Sequence, residues 1–313
     1  MITEVVLPGA VGPAGPVGSV GPAEPLLRTR PVPPLLAGQA LVRMEAAGIS
    51  YAEQQMCRGA YRDQPPFPFV PGFDAVGVID TLAGGSPRFA VGQRVAALTG
   101  TGAWADRLVL ATDDLVAVPD GLHATDAETV IADGVTARRM LAAAPVGDGD
   151  TVVVLGAADD VGSLLVQLAR HAGAQVVGVA AAYHLPYVRE IGAIPLDRDT
   201  DLAAGIRRVA PRGAVAVFDH AADGPGPGPG AGSVGRGAAS AGLWPGRERN
   251  PRDSRSHRAE LHADLRAVFG HLAAGEITAR IARAFPLSQI AEALRYAGSG
   301  AAAGKVVLLP DTD

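Results

Sequence analysis

The sequence predicts an α/β protein: a β-rich first part, a doubly wound parallel α/β part and a short C-terminal return. Three observations carry this. The first third alternates polar and apolar residues at the period of a half-buried strand. From about residue 124 the period lengthens to that of a helix. From Thr151 onward, continuous apolar runs alternate with amphipathic stretches, as in a parallel sheet covered on both faces.

The elements follow in order. Gln39-Ala-Leu-Val-Arg-Met-Glu predicts a strand, Phe73 to Leu82 another and Gly92 to Leu98 a third, with more strand between Trp104 and Val118. The cluster Gln64-Pro-Pro-Phe-Pro-Phe-Val-Pro-Gly is a rigid surface crossing, because proline is excluded from a helix interior. Asp126 to Leu141 reads as helix. Then come strand Thr151–Leu155, helix Gly162–His171, strand Gln175–Val179 and helix Pro186–Ile191. Strand Ala193–Leu196, helix Leu202–Val209 and strand Ala214–Asp219 continue the rhythm. Ala263 to Ala274 and Leu287 to Tyr296 read as helices, and Gly304 to Pro310 as a closing strand.

A chain of 313 residues is long enough for two packed domains. With 48% hydrophobic but only 4% aromatic residues, their cores must consist mainly of Ala, Val and Leu. The net charge of −5 argues against a nucleic-acid partner, which a basic stripe would announce. The single cysteine, Cys57, excludes an intramolecular disulfide and a cysteine-based structural zinc site, and fits a reducing cytosol. Met1-Ile-Thr-Glu-Val-Val-Leu does not read as a secretory leader, and no apolar run reaches membrane-spanning length. The expectation is therefore a cytoplasmic protein with a small-molecule substrate and no membrane partner. Gly and Pro concentrate in two stretches, Gly12 to Pro22 and Gly224 to Gly246, neither with enough apolar residues to form an element. The second, with the basic polar run after it, predicts a solvated loop over residues 224–258; a phosphate- or partner-binding arm is the sharper alternative.

Several local patterns stand in order and at matching spacing. They include Ala46-Ala-Gly-Ile-Ser-Tyr-Ala-Glu, Pro68-Phe-Val-Pro-Gly-Phe-Asp-Ala-Val-Gly-Val-Ile and Phe89-Ala-Val-Gly-Gln-Arg-Val. Asp133-Gly-Val-Thr-Ala, Val161-Gly-Ser-Leu-Leu-Val-Gln-Leu-Ala-Arg and Gly304-Lys-Val-Val-Leu extend them. Together, over most of residues 36–221 and 262–310, the chain resembles the medium-chain dehydrogenase/reductase superfamily, in its zinc-free quinone oxidoreductase and enoyl reductase branch. The resemblance implies a GroES-like β-barrel domain over residues 1–122 and a Rossmann-type doubly wound domain over 123–278. Residues 279–313 would return to the first domain, with a cleft between the two. It also implies hydride transfer from NADPH to a quinone or to the conjugated alkene of an enone or enoyl thioester, and leaves a homodimer open.

Zinc-dependent relatives carry Gly-His-Glu where this chain reads Gly72-Phe73-Asp74, and Cys57 lies outside the ligand position. No metal site is expected. The cofactor turn, Gly156 followed by Ala157, Ala158, Asp159, Asp160, Val161 and Gly162, stands where the family has G-A-A-G-G-V-G. Gly162 keeps the glycine that lets helix and strand pack closely. Asp159 and Asp160 replace two glycines and oppose a pyrophosphate by bulk and by charge. An aspartate there is also a good helix N-cap. After the second strand the family supplies Ser and Lys or Arg for a 2′-phosphate; here Ala180-Ala-Ala-Tyr leads to His184 as the nearby candidate.

By the same resemblance, Ser50, Tyr51 and Tyr61 line the substrate side, and either phenol could act as general acid or be simply a half-buried aromatic. Thr136 resembles a residue near the nicotinamide, or is a helix-interior hydroxyl. Lys305 belongs to the closing motif counted with the cofactor residues. Three readings remain open: an NADPH-dependent reductase, a redox-inactive relative catalysing an isomerisation, dehydration or cyclisation, and a non-catalytic binding protein.

Overall fold

The computed structural model describes residues 1–9, 24–61, 63–219, 238–239, 251–299 and 302–311. The chain divides into two compact units, Met1–Ala132 with Arg280–Asp313, and Asp133–Ala279.

In the first unit, β1 (Ile2–Val6) pairs antiparallel with β2 (Leu26–Arg30), a hairpin that the sequence did not announce. Buried Glu4 accepts from Arg28 Nε at 3.0 Å and Arg30 Nε at 2.9 Å. The spine is β3 (Gln39–Ile49), followed by α1 (Tyr51–Cys57). β3 pairs antiparallel with β4 (Asp74–Leu82), which continues to β5 (Arg94–Leu98). β6 (Arg107–Ala111) joins the near half of β3, and β7 (Leu115–Ala117) joins β5. Trp104 is fully buried and its indole N–H donates to Gly48 O at 2.9 Å.

The helix expected over Asp126–Leu141 is two helices, α2 (Ala124–Thr129) and α3 (Ala132–Ala142). The Asp74 carboxylate reaches from β4 to accept the Ala132 N–H at 2.9 Å. A new helix start is thereby satisfied by a side chain distant in sequence. α2 packs on β3 and β4, so the first unit runs to Ala132 rather than to residue 122.

The second unit alternates as expected. Its elements are β8 (Thr151–Leu155), α4 (Asp160–His171), β9 (Gln175–Ala180), α5 (Leu185–Glu190), β10 (Ile194–Asp197), α6 (Leu202–Val209) and β11 (Ala216–Phe218). After them come β12 (Ala238–Ala239) and α7 (Pro251–Ala273). All pairings are parallel, in the order β10-β9-β8-β11-β12. The order reverses between β8 and β11, and such a switch point opens a ligand crevice at the carboxyl ends of the strands. Arg138 and Arg139 of α3 hold Asp264 of α7 at 3.1 and 2.7 Å.

The loop expected over 224–258 is corrected in two places: Ala238–Ala239 forms a strand beside β11, and α7 begins at Pro251. Proline suits a first helical turn, where its missing N–H has no intrahelical partner to lose. The polar residues after it carry no apolar period to reveal the helix. Residues 220–237 and 240–250, and the Gly12–Pro22 stretch, lie outside the described residues. The chain then returns to the first unit with β13 (Ile281–Pro286), α8 (Ile290–Ala297) and β14 (Lys305–Leu309). β14 pairs antiparallel with β3 and completes a seven-stranded sheet. Among the described residues, no helix is long and apolar enough to cross a membrane.

Candidate functional site

β8 ends at Leu155, Gly156 turns the chain with φ +66°, and α4 starts at Asp160. Ala157 N–H donates to Val179 O at 2.9 Å, hooking the turn onto β9. Ala157 and Ala158 are buried, and Val161 is half-buried. A Cβ on Gly162 would stand 2.0 Å from Gly156 O, so only glycine lets α4 pack this close to the turn.

Asp159 occupies the N-cap position with φ −78° and ψ 170°, but its side chain makes no capping bond. Its carbonyl accepts Ser163 N–H at 2.8 Å. Asp160 follows as the first helical residue. Among the described residues, none but glycine has positive φ. The two aspartates therefore strain nothing in the backbone, and their effect on a phosphate is steric and electrostatic.

At the end of β9, Ala180 and Ala181 are buried while Tyr183 is exposed, its ring 4.3 Å from that of half-buried His184. Arg198, just after β10, donates its backbone N–H to Ala180 O at 2.9 Å, which brings an exposed cation beside the end of β9. Asp199 lies 3.9 Å from its guanidinium. Thr136 is buried within α3.

In the first unit, Ser50 is the N-cap of α1 and half of a capping box. Ala52 N–H donates to Ser50 Oγ at 3.2 Å, and that hydroxyl donates to Glu53. Glu53 is buried and also accepts the Ser50 N–H and the Phe73 N–H, each at 2.9 Å. Ser50, expected as a catalytic candidate, is thus bound into the joint between α1 and β4. Tyr51 is 61% exposed. Tyr61 is half-buried with its ring edge-on to Phe73 at 5.9 Å. Burial, then Asp63 and Glu53, holds its phenol above the ordinary value of 10.0.

Lys305 lies on β14 in the first unit and is 1% exposed. A Cβ on Gly48 would meet Glu128 Oε1 at 2.3 Å and Lys305 Cε at 2.5 Å, so both buried side chains converge over that glycine. The Lys305 side chain thus lies in the interior of the unit that lacks the dinucleotide turn.

Comparison with known proteins agrees with this architecture. The sequence model of the alcohol dehydrogenase GroES-like domain matches residues 36–120, and that of zinc-binding dehydrogenases matches residues 198–308. A 2-haloacrylate reductase of a Burkholderia species is 28% identical over 87% of this chain and 91% of its own length. The chain belongs to the medium-chain dehydrogenase/reductase superfamily. The quinone oxidoreductase of Pongo abelii is 32% identical, although the match covers 45% of this chain and 44% of that one. A mycobacterial protein solved with NADPH superposes with a TM-score of 0.78 at 23% identity, over 99% of this chain and 100% of its own.

In this medium-chain reductase fold, the Phe73–Asp74 position is occupied by other interactions. Phe73 packs on Tyr61, Asp74 accepts the Ala132 N–H, and the buried Cys57 thiol is pushed up to about 12 by burial and by Glu53, against Arg58. Sequence reasoning missed the capping role of Glu53, although the spacing Ser50-Tyr-Ala-Glu53 is itself the signature. Arg198 carried no local signal, because only the parallel pairing of β9 and β10 brings it to Ala180.

Proposed function

We propose that this chain is an NADPH-dependent reductase of a quinone or of a conjugated enone or enoyl substrate, working without zinc. The observation that carries the reading is the β8–α4 turn, whose backbone path and Gly162 contact suit a dinucleotide. The 2-haloacrylate reductase and quinone oxidoreductase relatives support it at the level of reaction class.

In this reading the backbone N–H groups opening α4 take the pyrophosphate. Arg198 and His184 serve the 2′-phosphate that the end of β9 cannot hold, and Thr136 stands on the nicotinamide side. Bound NADPH supplies the hydride. Tyr61 supplies the proton: its Oη stays protonated well into alkaline solution, and the Phe73 contact fixes its ring. Asp159 and Asp160 weaken the cofactor without excluding it. Like charges at about 4 Å cost about 1 kcal/mol in water and about 4 kcal/mol at an effective dielectric near 20.

The same carboxylates favour one competing reading, a redox-inactive family member that isomerises, dehydrates or cyclises its substrate. NADPH deuterated at the transferable position separates the two. Incubated with a panel of quinones and enones, the reductase consumes NADPH as substrate is reduced and, with enones, moves deuterium to a carbon of the product. Substrate conversion with no label transferred and no NADPH consumed overturns the proposal.

A further inference from the structure

His171 is the last residue of α4, His271 lies in the last turn of α7, and Glu276 follows the left-handed Gly275 that ends the exit from α7. His171, distant in sequence from the other two, meets them on the parallel unit. His271 Nδ1 is 2.6 Å from Glu276 Oε2, and His171 Nε2 is 3.4 Å from the same oxygen. The imidazole rings stand edge to face with centroids 4.9 Å apart. One potential ligand atom from each residue lies within 4.8 Å of the others.

We propose that His171, His271 and Glu276 form a binding site for a divalent transition-metal ion, with zinc(II) the ion of best fit. Two imidazoles and a carboxylate are the donors zinc takes, at bond lengths of about 2.0–2.2 Å. A tetrahedron of that size has edges of about 3.3 Å. The His171–Glu276 separation of 3.4 Å already matches such an edge. The closer His271–Glu276 pair shares a hydrogen bond, and the partly exposed carboxylate can rotate to admit an ion in its place. Both helices end here, and the negative ends of their dipoles favour a cation.

The cluster is also held from behind. Gln167 is buried one helical turn before His171. Its Oε1 accepts Thr278 N–H at 2.8 Å and Thr278 Oγ1 at 3.1 Å, and its Nε2 donates to Thr278 O at 3.2 Å. Glu276 N–H donates to His271 O at 2.9 Å. These bonds fix the segment carrying Glu276 against α4 before any ion arrives. The fourth coordination position is left for water or an external ligand, and a bound ion would staple α4 to α7.

The test is calorimetric titration of the tag-free full chain with zinc chloride, with thermal unfolding measured alongside. The site predicts one zinc per chain, affinity at least tenfold weaker in both His271→Ala and Glu276→Gln, and a zinc-dependent rise in unfolding temperature in the parent alone. Zinc-free unfolding of each variant checks that it folds; should His271→Ala not fold, His171→Ala takes its place. Absence of stoichiometric zinc binding, or parental affinity in the folded variants, overturns the proposal.

Discussion

Asp159 and Asp160 stand where the family resemblance implies glycines, and neither adopts a conformation reserved for glycine, since the backbone there is extended and then helical. Their consequence for a phosphate is therefore charge and bulk, which fall within reach of substitution. Arg198 is the complementary residue, a cation delivered beside the end of β9. If it meets the 2′-phosphate, Arg198→Ala should weaken NADPH binding by about tenfold, the value of one modest charge-assisted contact, and leave NADH unchanged. Parallel fluorescence titrations with the two cofactors check this; equal weakening of both would contradict the role. Tyr61 makes a different prediction. As the proton donor, Tyr61→Phe should lower kcat by about a hundredfold or more with cofactor affinity intact. Because its phenol is held above 10.0, kcat in the parent should show no loss of the donor between neutral pH and mildly alkaline pH. Its deprotonation limb belongs above the ordinary tyrosine value.

At the scale of elements, α1 depends on one buried carboxylate. Glu53→Ala would strand the Ser50 and Phe73 N–H groups, at about 1–3 kcal/mol for each unsatisfied donor. Urea unfolding should show a loss of about 2–6 kcal/mol, and Glu53→Gln, which keeps a carbonyl oxygen, should lose less. A parental midpoint for Glu53→Ala would remove the capping box from the account. Elements with a self-contained signal were legible: the apolar run Thr151–Leu155 and the amphipathic Leu202–Val209 coincide with β8 and α6. Those decided by tertiary contacts were not. The break between α2 and α3 depends on Asp74, which no window around Ala132 contains. The start of α7 is polar and lacks a period. α1 is only seven residues long, and its one local signal is the spacing of Ser50 and Glu53.

For the whole chain, the family was legible because its motifs are local and colinear, and Gly162 carries its meaning in a single contact with Gly156 O. What stayed hidden is what folding assembles from separate segments: Arg198 at Ala180, Lys305 beside Glu128, and His171 with His271 and Glu276. The family models match residues 36–120 and 198–308, and the dinucleotide turn lies between the two matches, so the open question is whether that turn still functions. Nicotinamide fluorescence titration of NADPH into the parent and into the double variant Asp159→Gly with Asp160→Gly addresses it most directly. Saturable binding to the parent is expected, with binding about tenfold or more tighter in the double variant. No binding to either protein at millimolar NADPH would contradict that expectation.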